Sequence, residues 1–348
     1  MIRSARTHRL SRTVGAALTA LALAALTACS SAPPSSPSTA APADSSGEGQ
    51  FPVTIEHVYG ETVIPEEPTR VITLGLSDQD PLLALGVKPI AVSAWWGDYP
   101  SATWPWAQDE LGDATPVVLN GGLRDEANPP IEEIASLKPD LIISLYNGTT
   151  QEQYEQLSRI APVVVPDAEY ANFAITWQEA TRATGEALGR EAEAVALVDD
   201  LEQAFATAAS AHPEFAGKTA VVAERFEAGE TIVRTGNDVR AKFFEQLGFT
   251  IPTEIAGIAP NEYGELYVPD ELVTDISKDL LVWNVGFAPD ARATVEALPL
   301  YSQLPVVKDD HVLWVEDSVV SGAFSWGTVL SLQYALDQLL PQITETLN

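Results

Sequence analysis

From residue 51 onward the apolar and polar positions fall into two alternating rhythms. Val53–Val58 alternates, Tyr59-Gly60-Glu61 turns and Thr62-Val63-Ile64 returns, which predicts a short opening hairpin. Beyond Pro65 and Pro68, short Val/Ile/Leu runs are separated by stretches of helical spacing. Strands are expected at Val71–Leu74, Pro89–Ala94, Val117–Leu119, Leu141–Leu145 and Val163–Val165, and helices at Asp80–Leu85, Trp104–Leu111, Ile131–Leu137 and Gln151–Ile160. A second set follows, with strands at Thr219–Glu224, Thr231–Arg234, Leu280–Val285 and Val312–Val315 and helices near Val239–Leu247, Glu271–Ile276 and Ala291–Ala297. Buried strands alternating with helices predict α/β sheets covered on both faces.

Between the two sets, Thr176 to Ala211 contains no proline and carries Ala180, Ala183, Ala187, Ala194, Leu197, Leu201 and Phe205 on one helical face, with Gly185 and Gly189 as its weak points. The expected fold is therefore α/β, two Rossmann-like lobes joined by one long rigid helix. Its parts are an N-terminal lobe at 51–171, a linking helix at 172–212 and a C-terminal lobe at 213–348 that ends in a helix over Leu330–Leu340. A helical link permits little hinge opening. The chain also repeats itself. The segment from Pro130 through Glu132 and Asp140 to Ile143 lies without a gap over the segment from Pro269 through Glu271 and Asp279 to Val282. Each copy reads as a short helix, a turn and a buried strand, as two related lobes require.

The length of 348 residues agrees with two lobes, and a hydrophobic fraction of 46% excludes a disordered chain. Against 19 basic residues stand 49 acidic ones, a formal charge of −30. That sign excludes nucleic acid as a partner. Arg3, Arg6, Arg9 and Arg12 precede an apolar run from Val14 to Ala25, too short to span a bilayer, and Leu26-Thr27-Ala28-Cys29 follows. This run resembles a bacterial lipoprotein signal peptide with its lipobox, so residues 1–28 are expected to be removed and Cys29, the only cysteine, to be lipidated. Removal leaves 15 basic against 49 acidic residues, a charge of −34. Residues 29–50, rich in Ser, Pro and Ala, are expected to be a disordered tether that holds the protein at the extracytoplasmic face of the cell membrane.

No nucleophile elbow, dinucleotide fingerprint, phosphate loop or His-Glu-x-x-His motif is present, so no enzyme activity is expected. The three scattered histidines that remain beyond Cys29 (His57, His212 and His311) argue against a protein-held metal. The aromatic residues are placed more tellingly. Trp95, Trp96, Tyr99, Trp104 and Trp106 follow the strand at Pro89–Ala94, beyond the carboxyl end where ligands of open α/β sheets bind. Some of these rings can instead fill the lobe's own core. Tyr146 and Trp283, each near the end of a strand, complete an aromatic cleft between the lobes. Arg124, in the loop Gly121-Gly122-Leu123-Arg124, and Arg225, closing Thr219–Glu224, are candidate donors to an oxygen-rich ligand, or surface ion pairs of little value.

Arg70 to Leu74, Leu82 to Pro89, Ile131 to Ile134 and Lys138 to Ile142 resemble the ferric-siderophore and cobalamin substrate-binding proteins of ABC importers. The likeness extends to Leu298-Pro299-Leu300-Tyr301 and the closing helix. It implies the class III periplasmic-binding-protein fold and a monomeric receptor without a cofactor. The implied receptor captures a ferric siderophore, whose iron stays in the chelator, and delivers it to a membrane permease. Glu132 and Glu271 are implied to meet the permease, and Gly122-Leu123-Arg124 resembles the loop of hydroxamate-siderophore binders. The remaining implied contacts include Tyr263, with Phe324 and Trp326 standing where such a binder carries a tryptophan before its last helix. With Met1 the only methionine, haem is disfavoured. A cobalamin receptor of the same fold is the alternative, and a secreted glycoside hydrolase with a Trp-lined cleft is the alternative of another class.

Overall fold

The computed structural model describes residues 51–348 except 123–127, 171, 227–228, 262 and 289. The expectations for Cys29 and Arg124 lie outside the described residues. The opening hairpin is β1 (Val53–His57) against β2 (Gly60–Ile64), with Ile55 opposite Thr62. Its alternation buries Ile55, His57, Thr62 and Ile64 on one face, and the Thr62 hydroxyl donates to the Val163 carbonyl of the first sheet.

That sheet contains β3 (Val71–Thr73), β4 (Ala91–Val92), β5 (Val117–Val118), β6 (Leu141–Ile143) and β7 (Val163–Val164), all parallel, in the order β5-β4-β3-β6-β7. The second contains β8 (Ala220–Glu224), β9 (Glu230–Arg234), β10 (Glu265–Pro269), β11 (Leu280–Asn284) and β12 (Val312–Val315), in the order β10-β9-β8-β11-β12. Here β8, β11 and β12 are parallel, and β9 is antiparallel to both neighbours. The two orders superimpose strand for strand, so β6 and β11, the strands of the sequence repeat, hold the same place in their sheets. Even the anchoring is shared. Asp140 accepts from the amides of Thr69 and Arg70, just before β3. Its counterpart Asp279 accepts from that of Thr219, just before β8.

The segment expected as one helix over 172–212 is helical in two pieces, Trp177–Ala187 and Glu191–Ala211. Gly189 ends the first at φ +66°, where a side chain would be strained. Gly185 lets the second pack close, because a Cβ there would lie 2.2 Å from that of Ala194. The 21-residue second piece is the long helix of the link. Its Val198, Leu201 and Phe205 share one buried cluster with Trp95, Trp104 and Trp106 of the first lobe and with Phe243, Phe324, Leu332 and Leu339 of the second. The lobes therefore have a common core along this helix.

Candidate functional site

In each sheet the strand order reverses beside the first strand, between β3 and β6 and between β8 and β11. The crevice beyond the carboxyl ends at such a point receives the ligand in open α/β folds. A hydrogen-bonded polar side chain stands at each of these points. Buried Asp78 accepts from the Gly75 and Leu145 amides through Oδ2 and from Tyr146 through Oδ1, each at 2.8 Å. Burial raises its carboxyl above the ordinary aspartate range, and the three N–H donors oppose that rise. In the second lobe Asn284 donates to Glu224 Oε1 at 2.7 Å and to Ser325 Oγ at 3.0 Å, while accepting from Ser321 at 2.7 Å. The candidate place for a ligand lies beside these side chains, between the lobes.

Arg234 pairs with Glu224 and Glu265, and Arg240 with Glu224 at 2.9 Å and Asp238 at 2.7 Å. Burial opposes the charge on Arg240, but Glu224 and Asp238 outweigh it and hold the guanidinium protonated well above the usual range. Tyr146 of the first lobe lies close enough to act on the same group. Two arginines thus gather on Glu224, the last residue of β8, with their charge already matched by carboxylates.

The aromatic residues form a seam between the lobes. Trp104 stacks on Trp106 at 4.8 Å and contacts Tyr99 at 4.6 Å and Trp95 at 6.1 Å. Across the seam it meets Trp326 at 6.1 Å and Phe287 at 6.2 Å, and Trp326 in turn meets Trp95 at 5.8 Å. Trp95 Nε1 donates to the Ala102 carbonyl and Trp106 Nε1 to Asp80. Trp95, Trp104 and Trp106 are buried, whereas Trp96 is 51% exposed. Most of this loop therefore builds the seam, and Trp96 stands at its rim.

Other expected site residues are placed differently. Trp283 is fully buried, stacked on Trp314 at 6.0 Å with its N–H on Tyr301. Alternation along β11 sends Asn284 to the face of Glu224 and Trp283 to the opposite one. Phe324 is fully buried against Phe243 and Phe244, on the far side of the helix Ser318–Trp326 from Gly322 and Trp326. Arg225 does not point into the cleft. Its guanidinium grips both oxygens of Asp270 at 2.7 and 3.0 Å and the Glu230 carbonyl. Tyr263 precedes β10, which runs parallel to β8, so it sits toward the amino ends of those strands, away from the seam. Glu132 and Glu271 are both exposed in the first turn of the helical segments that lead to β6 and β11.

Sequence reasoning passed over Arg234, Arg240, Asn284, Phe287 and Phe226. The last two follow strands β11 and β8 and remain exposed at 39% and 55%. Position after a strand end, the signal that drew attention to Trp95, applies to both.

Two topologically equivalent α/β lobes with an aromatic seam between them have the build of a two-lobed binding protein. The chain belongs to the periplasmic binding protein family, whose model matches residues 71–317. It is 29% identical over 298 residues, 82% of this chain and 86% of the other, to YfiY of Bacillus subtilis, a probable siderophore-binding lipoprotein. A periplasmic solute binding protein from Mycobacterium smegmatis superimposes with a TM-score of 0.75 at 32% identity, covering 85% of this chain and 99% of that one. Staphylococcus aureus SirA, solved in complex with staphyloferrin B, does so with a TM-score of 0.64 at 25% identity over 84% and 98% of the two chains.

Proposed function

We infer that the protein is an extracytoplasmic receptor for a ferric siderophore, which it hands unaltered to an ABC permease. The observation that carries this reading is the aromatic seam between the lobes, beside arginines already matched by carboxylates. The lobes offer rings and matched arginines to a bulky ligand lying between them. Among the described residues no group of three His, Cys, Asp or Glu is placed to hold a metal ion, so iron would travel inside its chelator. Names among the relatives point the same way, a probable siderophore-binding lipoprotein and a staphyloferrin B complex. A hydroxamate-type complex suits the site best, because Arg234 and Arg240 are already matched by Glu224, Asp238 and Glu265 and leave little net positive charge for a polyanion. The lipid on Cys29 would keep the receptor at the membrane, and Glu132 and Glu271 would meet the permease.

Titration of tryptophan emission in residues 50–348 tests the reading. Ferric hydroxamates should quench at micromolar concentration or below, and iron-free chelators should not. A response to cobalamin or to sugars in place of every ferric complex would refute it. A response confined to ferric catecholates or ferric citrate would keep the receptor and overturn the hydroxamate assignment.

A further inference from the structure

Three consecutive buried side chains at the start of one short helix each hold a different segment. The helix is Gln79–Ala84, with Asp78 as its cap. Asp78 takes the Gly75, Leu145 and Tyr146 amides. Asp80 takes Trp106 Nε1 at 2.8 Å and, at 2.6 Å, the hydroxyl of Thr328, which caps the last helix, Val329–Thr346. Between them Gln79, 3% exposed, reaches into the aromatic loop, where its Nε2 donates to the Ala102 carbonyl at 2.7 Å. The Thr103 hydroxyl lies 3.3 Å from Gln79 Oε1 and can donate to it.

The backbone that Gln79 holds is the strained part of that loop. Ser101 and Ala102 stand at φ +56° and +49°, in the left-handed region where a Cβ crowds the following carbonyl. Such residues persist there only where their surroundings hold them. Two donors meet on the Ala102 carbonyl, Gln79 Nε2 and, at 2.6 Å, Trp95 Nε1, and its two lone pairs accept both. Relaxation of the turn takes this carbonyl off two buried donors, a loss that opposes the strain.

The turn carries the rings of the first lobe. It joins Tyr99 to Trp104, whose rings lie 4.6 Å apart. Tyr99 also lies on Gly97, where a Cβ would stand 2.5 Å from its ring. Trp95, the other partner of Ala102, meets Trp326 of the second lobe at 5.8 Å. Trp96, at the rim, stands in the chain between Trp95 and Gly97, so both of its neighbours are fixed through this turn. We propose that Gln79 is a positioning residue for ligand binding. By clamping the Ala102 carbonyl it holds the Ser101–Ala102 turn left-handed, and the turn sets Trp95, Trp96 and Tyr99 in place before the ligand arrives. The proposal rests on the reading of the seam as the place of a ferric complex. Rings fixed in advance spare the ligand the ordering of the loop, so loss of the clamp shows as lost affinity as well as lost stability.

The Trp95 indole N–H, observed by nitrogen-15 NMR, reports the clamp without any ligand, and titration of tryptophan emission with ferric hydroxamates reports its use. Gln79→Met keeps the bulk and removes the donor. It should shift or split the Trp95 resonance and weaken binding about tenfold. Adding Ala102→Gly, which adopts positive φ without strain, should bring both back toward the wild type, a rescue that a merely structural Gln79 does not give. Ala102→Gly alone should raise the melting temperature and leave the Trp95 resonance in place, and it serves even where Gln79→Met does not fold. The proposal is overturned by a Trp95 resonance that Gln79→Met leaves unchanged, by an affinity loss that Ala102→Gly does not restore, or by a lower melting temperature in Ala102→Gly alone. If no ferric complex binds the wild type, the receptor reading falls separately, and the Trp95 resonance still decides whether Gln79 holds the turn.

Discussion

A glycine makes one of the approaches across the seam. A Cβ on Gly322 would lie 2.6 Å from Trp104 Cζ3, 2.8 Å from Cη2 and 3.2 Å from Cε3. Trp104 cannot retreat cheaply, being 1% exposed and held by Trp95, Tyr99, Trp106, Phe287 and Trp326. Gly322→Ala should gain about 1 kcal/mol from helix propensity and lose about 1–3 kcal/mol to overpacking. The net loss of up to about 2 kcal/mol corresponds to a melting temperature lower by up to about 3 °C. Tryptophan emission should shift to the red as water reaches the seam. The clash falls on the far edge of the indole, which phenylalanine does not reach, so in a Trp104→Phe background the same change should be neutral or stabilising. The cycle then yields a coupling energy of about 1–3 kcal/mol. Additivity within about 0.5 kcal/mol, with Gly322→Ala stabilising in both backgrounds, would refute the close contact between the lobes.

Other perturbations separate binding from stability. Trp96→Ala should change stability by about 0.5 kcal/mol or less and weaken ferric-complex binding about tenfold, a loss of about 1.4 kcal/mol. Trp283→Phe should do the reverse, costing about 1–3 kcal/mol of stability through lost volume and the lost bond to Tyr301 while leaving affinity unchanged. Glu132→Ala and Glu271→Ala should leave ligand titrations unaltered and abolish uptake in cells, and normal uptake in the double variant would remove both from the permease contact. His57 accepts the Tyr59 amide on Nδ1 and faces the Thr62 hydroxyl through Nε2. Burial lowers its pKa below 6.5, with Asp167 opposing. The folded state thus binds this proton less readily than the unfolded chain. Stability is full above pH 6.5 and is lost as pH falls from 6.5 through the folded-state value. Ring C–H shifts in a pH titration should show that lowered midpoint, and a midpoint at or above 6.5 would contradict it.

Where a residue's environment is local, the chain declared it. Ile131–Leu137 and Val312–Val315 fall where their apolar spacing predicts, and the repeat exposed the duplicated lobes. The helix Ser318–Trp326 escaped notice because Val319, Val320, Ser321 and Gly322 are poor helix formers. It is held instead by Asp317, which accepts from the amides of Val319 and Val320, and by burial of two faces. Strand β10 shows the alternation of buried Leu266 and Val268, but it is short and ends at Pro269. The site was legible in part for the same reason. Position after a strand marks the Trp95–Trp106 loop, but which rings are buried depends on Gly322 and Phe287, more than 180 residues away. The partners of Arg240 and Arg234, likewise, are set by the pairing of β8 with β9.

The equivalence of the lobes sharpens the question of what each contributes. Both switch points hold a buried carboxylate, yet Asp78 is satisfied by backbone amides alone, whereas Glu224 needs Arg234, Arg240 and Asn284. The difference follows from β9. In the first sheet the corresponding strand, β4, is parallel and ends in the aromatic loop. In the second it runs antiparallel and returns its carboxyl end beside the mid-strand residue Val222. That return carries Arg234 and, a turn later, Arg240 toward Glu224. One reversed strand therefore gives the second lobe a buried polar cluster that the first lacks, on a shared topology. Since the carboxylates beneath already match those guanidinium groups, their hydrogen-bonding directions remain useful while their net charge does not. In a chain whose formal charge is −30, this favours an uncharged, oxygen-rich complex over a polyanion.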